Sequence, residues 1–438
     1  MMEMLAPHHQ ALPSNAAFNH EDGSASRRGH DRRVGTPWII ATMTAAIIPR
    51  CLWLTDMEYK SDEAATVRTL AGLAWKHWTP LAPLSKHSGI AHSSGFFYLL
   101  FGITPDKGPL TIVTAIALLN AIAIVVPLWC LRRTPKYFYT FALCATSLTL
   151  ILGSRKIWTP DLQAAWVCAS IALVGASSAA SKQRSFLLAA LAAFCLVMAG
   201  HMYLPGVFVA TLGSLAVFIV YAITRRWMQC SGWAIGAAAG WSTFIPWAMA
   251  MFSHVPGSRA EHGPSLTFSV DQLLAAARMG LTVQSSYDVY DRYLRPNTSW
   301  LNEQLASSLF AKSTLLWIVI SCLLGCTLFT TSIIMVLRRR REVLRDPLLL
   351  TACGLLLTMP VALFMARLGT YIHYWLAVIP FFYYWIAWTV TRGAVVWRWM
   401  VVAVCVTSWL AASSFAGLVH ENHGLPGEYG RSFSSRGL

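Results

Sequence analysis

Long apolar runs separated by short polar breaks dominate the chain. The first runs from 38 to 54. Others follow near 109–131, 137–153, 161–180, 185–200, 204–223, 232–252, 313–337, 347–366, 373–390 and 396–418. Each is about the length a helix needs to cross ~30 Å of hydrocarbon. The pattern predicts an all-α fold, a polytopic transmembrane helical bundle of about eleven spans. Residues 1–36 are polar and carry the basic cluster Arg27, Arg28, Arg32 and Arg33; they read as a disordered cytoplasmic tail. Residues 37–420 make the membrane domain and 421–438 a short outer tail. The first apolar run comes too late, and without a small-residue cleavage site, to be a signal peptide.

The breaks set the orientation. With the N-terminus inside, one set of connections carries Arg132, Arg133 and Lys136, then Lys182 and Arg184, Arg225 and Arg226, Arg338 to Arg341 with Arg345, and Arg392 with Arg398. Short basic loops mark the cytoplasmic side, so the N-terminus is predicted cytoplasmic in an inner or plasma membrane. Two segments on the opposite side are long, 55–108 and 254–312, and long loops carry function. Within the first, 62–75 places Ala65, Val67, Leu70, Leu73 and Ala74 on roughly one helical face. Residues 90–103 are apolar but too short to span. Both predict helices lying in the membrane interface. Tyr287, Tyr290, Arg292, Tyr293 and Arg295 group in the second.

Composition agrees. Of 438 residues 56% are hydrophobic and 12% charged, with mean hydropathy +0.51; an average soluble chain carries about twice that charge. This excludes a soluble enzyme, a disordered protein and a disulfide scaffold. The net charge of +15 follows from basic cytoplasmic loops rather than from nucleic-acid binding. The ten cysteines are scattered, with no CxxC pair to suggest zinc or redox chemistry.

Candidate chemistry lies on the outer side. Asp62 and Glu63 open the first interfacial helix, where they could act as a general base or cation site, or cap the helix with Ser61. Thr159-Pro160-Asp161 is a helix start with Pro at the first position. Arg155 and Lys156 precede it in a short outer loop. Cations there run against the orientation rule, and an anionic phosphate would explain them. Lys86 lies in the first long segment with His87 and His92, which are five apart and a poor zinc pair. His201 and Tyr203 form one outer turn; Arg367, Tyr371, His373 and Tyr374 form another. Aromatic residues at this depth commonly anchor the interface, whereas a cation such as Arg367 is expensive there unless partnered.

In order and side, these landmarks resemble the C-type glycosyltransferase superfamily, which includes protein O-mannosyltransferases and lipid A aminoarabinose transferases. The resemblance covers roughly 37–210 and 347–390. It lies in Asp62-Glu63-Ala64 after the first span, two interfacial helices before the second, Thr159-Pro160-Asp161 at the start of the fourth, and His373-Tyr374 followed by Pro380. It implies inverting transfer of a sugar from a polyprenyl-phosphate carrier to a lipid, glycan or protein acceptor at the outer, periplasmic face. The acceptor hydroxyl would lose its proton to a carboxylate, Asp62 with Glu63 or Asp161 assisting. Arg155, Lys156, Arg367 and Lys86 would stabilise the phosphate, and His201, Tyr203, Tyr371, His373 and Tyr374 would line the substrate. No cofactor is required, although an Asp62/Asp161 pair could hold a divalent cation. Leu84-Ser85-Lys86-His87 stands where many relatives have apolar-Pro-Pro-Tyr. No soluble C-terminal domain follows, which points to a small or lipid-bound acceptor or to one recognised by 254–312.

A transporter or flippase would place its polar residues near the bilayer midplane, where the spans carry almost no charge. A polymerase or ligase of lipid-linked saccharides would share the cations but not need the Asp62-Glu63 pair. A non-enzymatic scaffold leaves the Arg155-Lys156 loop unexplained.

Overall fold

The computed structural model describes residues 35–72, 95–253, 270–365 and 371–436. Lys86, His87, His92 and Arg367 lie outside them. Helices are numbered in chain order: α1 (Thr36–Cys51), α2 (Ser61–Gly72), α3 (Gly95–Ile103), α4 (Pro109–Cys130), α5 (Pro135–Thr146), α6 (Leu148–Gly153), α7 (Gln163–Ser177), α8 (Lys182–Met202), α9 (Leu204–Ile223), α10 (Trp227–Ser242) and α11 (Ile245–Ser253). They continue with α12 (Val270–Thr282), α13 (Tyr287–Val289), α14 (Thr298–Ser307), α15 (Leu309–Arg338), α16 (Arg340–Val343), α17 (Pro347–Met365), α18 (Ile379–Arg392) and α19 (Val395–Glu421). A two-strand hairpin, β1 (Gly424–Leu425) and β2 (Gly430–Arg431), pairs Gly424 with Arg431.

The fold is a polytopic helical membrane fold. Among the described residues six helices, α4, α8, α9, α15, α17 and α19, are long and apolar enough to cross a membrane. The other five apolar runs are helical but shorter or broken: Ser147 separates α5 from α6, and residues 243–244 separate α10 from α11. The tenth run enters its helix only at Ile379, with Pro380 in the first turn, after a tight turn at 372–378. Leu118, Ile122, Val126 and Trp129 stay exposed down one side of α4, as a lipid-facing stripe does. Where helices meet, small residues let backbones approach. A Cβ on Gly236 of α10 would stand 1.9 Å from the Ala190 carbonyl oxygen of α8.

Segments predicted on the same side of the membrane meet one another. At one end Lys136 pairs with Asp346 at 3.3 Å and Arg392 with Glu342 at 2.9 Å. At the other, residues 53–60, 155–161, 287–295 and 424–436 converge. The C-terminal hairpin is strapped onto the first long segment. Glu58 bridges Ser432, the Phe433 N–H donates to the Met57 carbonyl at 3.1 Å, and Asp56 takes bonds from His420 at 2.7 Å and the Ser434 hydroxyl at 2.6 Å.

Two buried arginines fasten this end. Helix termini leave carbonyls without partners, and the last turns of α1 and α5 converge here. Arg50 donates to the Ala46 and Ala145 carbonyls, both at 2.8 Å, and to Cys144 at 3.1 Å. Arg155 donates to Pro49 at 3.1 Å and Trp53 at 2.9 Å.

Candidate active site

A small cavity opens at the end where the long segments converge. Its lining includes Thr149, Lys156, Trp158, Asp161, Asp288, Arg292, Tyr293 and His373. These come from four stretches of chain: α6 and the turn after it, a short 3-10 helix (Thr159–Leu162) before α7, the second long segment, and the turn before α18.

Local sequence explains each placement. Trp158 is extended and caps the 3-10 turn, which begins at Thr159 with Pro160 next to it. Asp161 Oδ2 then accepts the Trp158 N–H at 2.9 Å, while Oδ1 lies against Gly153 on the same cavity wall. Asn120 of α4 fixes this turn from behind, donating to the Asp161 carbonyl at 3.0 Å. Gln163 donates to the Tyr203 carbonyl at 2.9 Å. Gly206 leaves room for that contact, since a Cβ there would stand 2.5 Å from the Gln163 amide nitrogen.

The electrostatic centre is the ion pair of Lys156 with Glu58, both buried. Lys60 adds a second cation to Glu58 at 2.6 Å, and the Tyr293 hydroxyl donates to it at 3.4 Å. Burial opposes the Glu58 charge, but the two ammonium groups prevail and hold its carboxyl below the ordinary value. Burial also opposes the Lys156 charge, and Tyr293 and Glu58 together raise its pKa. The pair is charged. An ammonium has three donors; Glu58 and Tyr293 engage two of them, and Lys156 turns the remaining N–H to the cavity it lines. Its Nζ stands 5.9 Å from the Trp158 ring centre and 5.7 Å from that of Tyr293. Arg292 reaches Glu428 at 3.5 Å, a partner that is itself 55% exposed and easily exchanged.

The predicted site residues divide. Lys156, Asp161 and His373 line the cavity. Tyr203, Tyr371 and Tyr374 surround His373, with ring centres 5.5, 5.4 and 4.2 Å away, and Trp158 packs against it at 4.3 Å. Glu63 is buried behind them. Its Oε2 accepts the Lys60 N–H at 2.9 Å and so caps α2, the back-reach of a capping box. Burial, then the Glu58 charge, push its pKa up. Asp62 is exposed at the start of α2 and is not among the lining residues. Arg155 points away from the cavity, both terminal nitrogens committed to carbonyls. His201 turns toward another neighbour, with Thr243 at 2.5 Å and the Phe244 ring stacked on it. Among the described residues no three His, Cys, Asp or Glu side chains could hold a metal ion.

Glu58, Trp158, Asp288 and Arg292 are brought in by the fold alone. Asp288 is buried, its carboxylate oxygens 3.1 and 3.0 Å from the Thr149 hydroxyl. Burial pushes its pKa up to about 7, against the hydroxyl bond and the Arg292 charge. A carboxyl raised by folding binds its proton more tightly in the native state. Its contribution to stability is therefore complete below about pH 4 and is lost as pH rises toward 7. Asp288→Asn should match the wild type in thermal unfolding at pH 4 and be the more stable at pH 8, by up to about 4 kcal/mol. A gap that closes with rising pH would contradict this burial.

No family model matches the chain, and no curated protein does. Among solved structures it is similar to the crystal structure of ArnT from Cupriavidus metallidurans bound to undecaprenyl phosphate, with a TM-score of 0.49 and 13% identity, over 88% of this chain and 76% of that one.

Proposed function

We propose that this protein is an inverting glycosyltransferase that moves a sugar from a polyprenyl-phosphate carrier to a lipid, glycan or protein acceptor. The cavity would face the extracytoplasmic side and the N-terminus the cytoplasm. The observation that carries the reading is one aromatic-walled cavity, at the end of an apolar bundle, into which two carboxyl groups (Asp161 and Asp288) and two cations (Lys156 and Arg292) open together. The motifs around Asp62-Glu63 and Thr159-Pro160-Asp161 support the same chemistry.

The roles follow from charge. The acceptor oxygen attacks the anomeric carbon as its proton passes to a carboxylate, and the bond from that carbon to the phosphate oxygen breaks with inversion. The electron pair stays on the phosphate, where Lys156 and Arg292 stabilise it without protonating it. One cation at ~4 Å gives ~4 kcal/mol at an effective dielectric of ~20, before desolvation. Asp161 is the base we assign, because it lies on the cavity wall with the cations. Glu63 sits behind it, and Asp62 is the alternative on the exposed side. Trp158, Tyr293 and His373 make the aromatic wall against which a sugar ring packs, and Tyr203, Tyr371 and Tyr374 support His373.

The test is transfer from a glycosylated polyprenyl phosphate by purified Asp161→Asn and Asp62→Asn in lipid nanodiscs. Loss in Asp161→Asn is expected. Loss in Asp62→Asn alone would move the base to α2. Full activity in both would remove carboxylate catalysis from the account.

Arg155 has a different part, anchoring the loop that carries Lys156. Arg155→Lys cannot hold two diverging carbonyls. It is expected to lower thermal stability while changing carrier affinity less than Arg292→Ala does. A larger affinity loss in Arg155→Lys, measured by titration with polyprenyl phosphate, would return Arg155 to the phosphate.

A further inference from the structure

Residues 283–294 are the least regular stretch among the described residues, and most of them are buried. Ser286 adopts φ +65°, a left-handed conformation that costs a non-glycine residue roughly 1–3 kcal/mol and clusters at functional sites. A π-helical turn follows over Tyr290–Leu294, another feature frequent at such sites. Asp288, Val289, Arg292 and Tyr293 all face the cavity. The strained backbone delivers two polar side chains one helical turn apart.

Resting on the glycosyltransferase reading, we propose that Asp288 is the residue that selects the transferred sugar, its carboxyl accepting a hydrogen bond from a sugar hydroxyl while Arg292 holds the phosphate one turn away. Asp288 and Arg292 lie four positions apart and open into the same cavity. Lys156 already neutralises Glu58. The Asp288 carboxyl accepts from the Thr149 hydroxyl and from the Asp288 and Val289 N–H groups, all neutral donors, which leaves about one of its ~four lone-pair positions for a ligand. A site built to bond a hydroxyl discriminates strongly against a ligand lacking it.

The experiment is equilibrium binding to the full-length protein in nanodiscs. The probes are a short-chain polyprenyl phosphate and its glucosyl, mannosyl, galactosyl and N-acetylglucosaminyl esters. At least one ester is expected to bind the wild type about tenfold or more tighter than the bare phosphate. Asp288→Ala should erase that gain and change the bare-phosphate Kd less than about twofold; thermal unfolding of Asp288→Asn and Asp288→Ala reports the fold. The proposal is overturned if both variants keep the gain, if they weaken bare phosphate equally, or if no ester exceeds bare phosphate. If bare phosphate binds in a manner dependent on Arg292 and only the gain ignores Asp288, the sugar assignment alone falls. If bare phosphate does not bind, the transferase reading falls with it.

Discussion

Asp161→Asn should abolish transfer, by about 10² to 10⁴-fold in rate, with carrier affinity within about twofold of the wild type. The substitution is nearly isosteric. Asparagine can still accept the Trp158 N–H that Asp161 Oδ2 accepts at 2.9 Å, so the turn before α7 survives. What disappears is the capacity to take a proton at the oxygen facing Gly153. The Asn120 bond is to the Asp161 carbonyl and is untouched. Single-turnover transfer and a carrier titration on the same sample separate the two quantities. A residual rate above about a tenth of the wild type would show that another group accepts the proton.

Lys156→Met should have the second large effect, and it has two components. Glu58, 3% exposed, would keep Lys60 as its ion-pair partner among the described residues. Removing one partner of a buried pair costs about 3–5 kcal/mol, so the variant should unfold at distinctly lower temperature. It should also bind polyprenyl phosphate more weakly, by a factor of about 10² if a substantial part of a ~4 kcal/mol contact survives desolvation. The double variant Glu58→Gln/Lys156→Met separates the two. With no buried charge left unpaired, its stability should return to within about 1 kcal/mol of the wild type, while carrier binding stays weak. Recovery of both would make Lys156 a structural residue only.

Much of the fold was legible because a bilayer imposes a coarse rule, apolar runs long enough to cross and basic loops on one side. All eleven runs are helical, although five are shorter or broken, as at Ser147 and Pro380, where local backbone geometry overrides hydropathy. Helices α2 and α3 were readable, the first from the spacing of its apolar residues and the second from an apolar run too short to span. The candidate site was partly legible. Lys156 and Asp161 stood out as charges in a short loop, but nothing local separates Lys156 from Arg155, and the fold uses them oppositely. Arg155 was claimed by unpaired carbonyls at the end of α1, a demand that exists only once α1 packs beside the 155 loop. Glu58 pairs with a residue 98 positions away, and such a contact leaves no trace in local pattern. Asp288 and Arg292 sat in a segment visible as polar and aromatic, but their common face depends on the left-handed Ser286 and the π-helical turn. The C-terminal hairpin reads as a short tail and acts as a strap over Asp56.

The most direct measurement of the central claim is photocrosslinking with a polyprenyl phosphate carrying a diazirine beside the phosphate. It uses the purified protein in nanodiscs, with adducts mapped by mass spectrometry. The account predicts labelling confined to the cavity wall, at 149–161, 288–293 and 372–376, suppressed by excess unmodified polyprenyl phosphate and by Lys156→Met combined with Arg292→Ala. Adducts spread along the lipid-facing sides of α4 and α8, unaffected by either treatment, would contradict it.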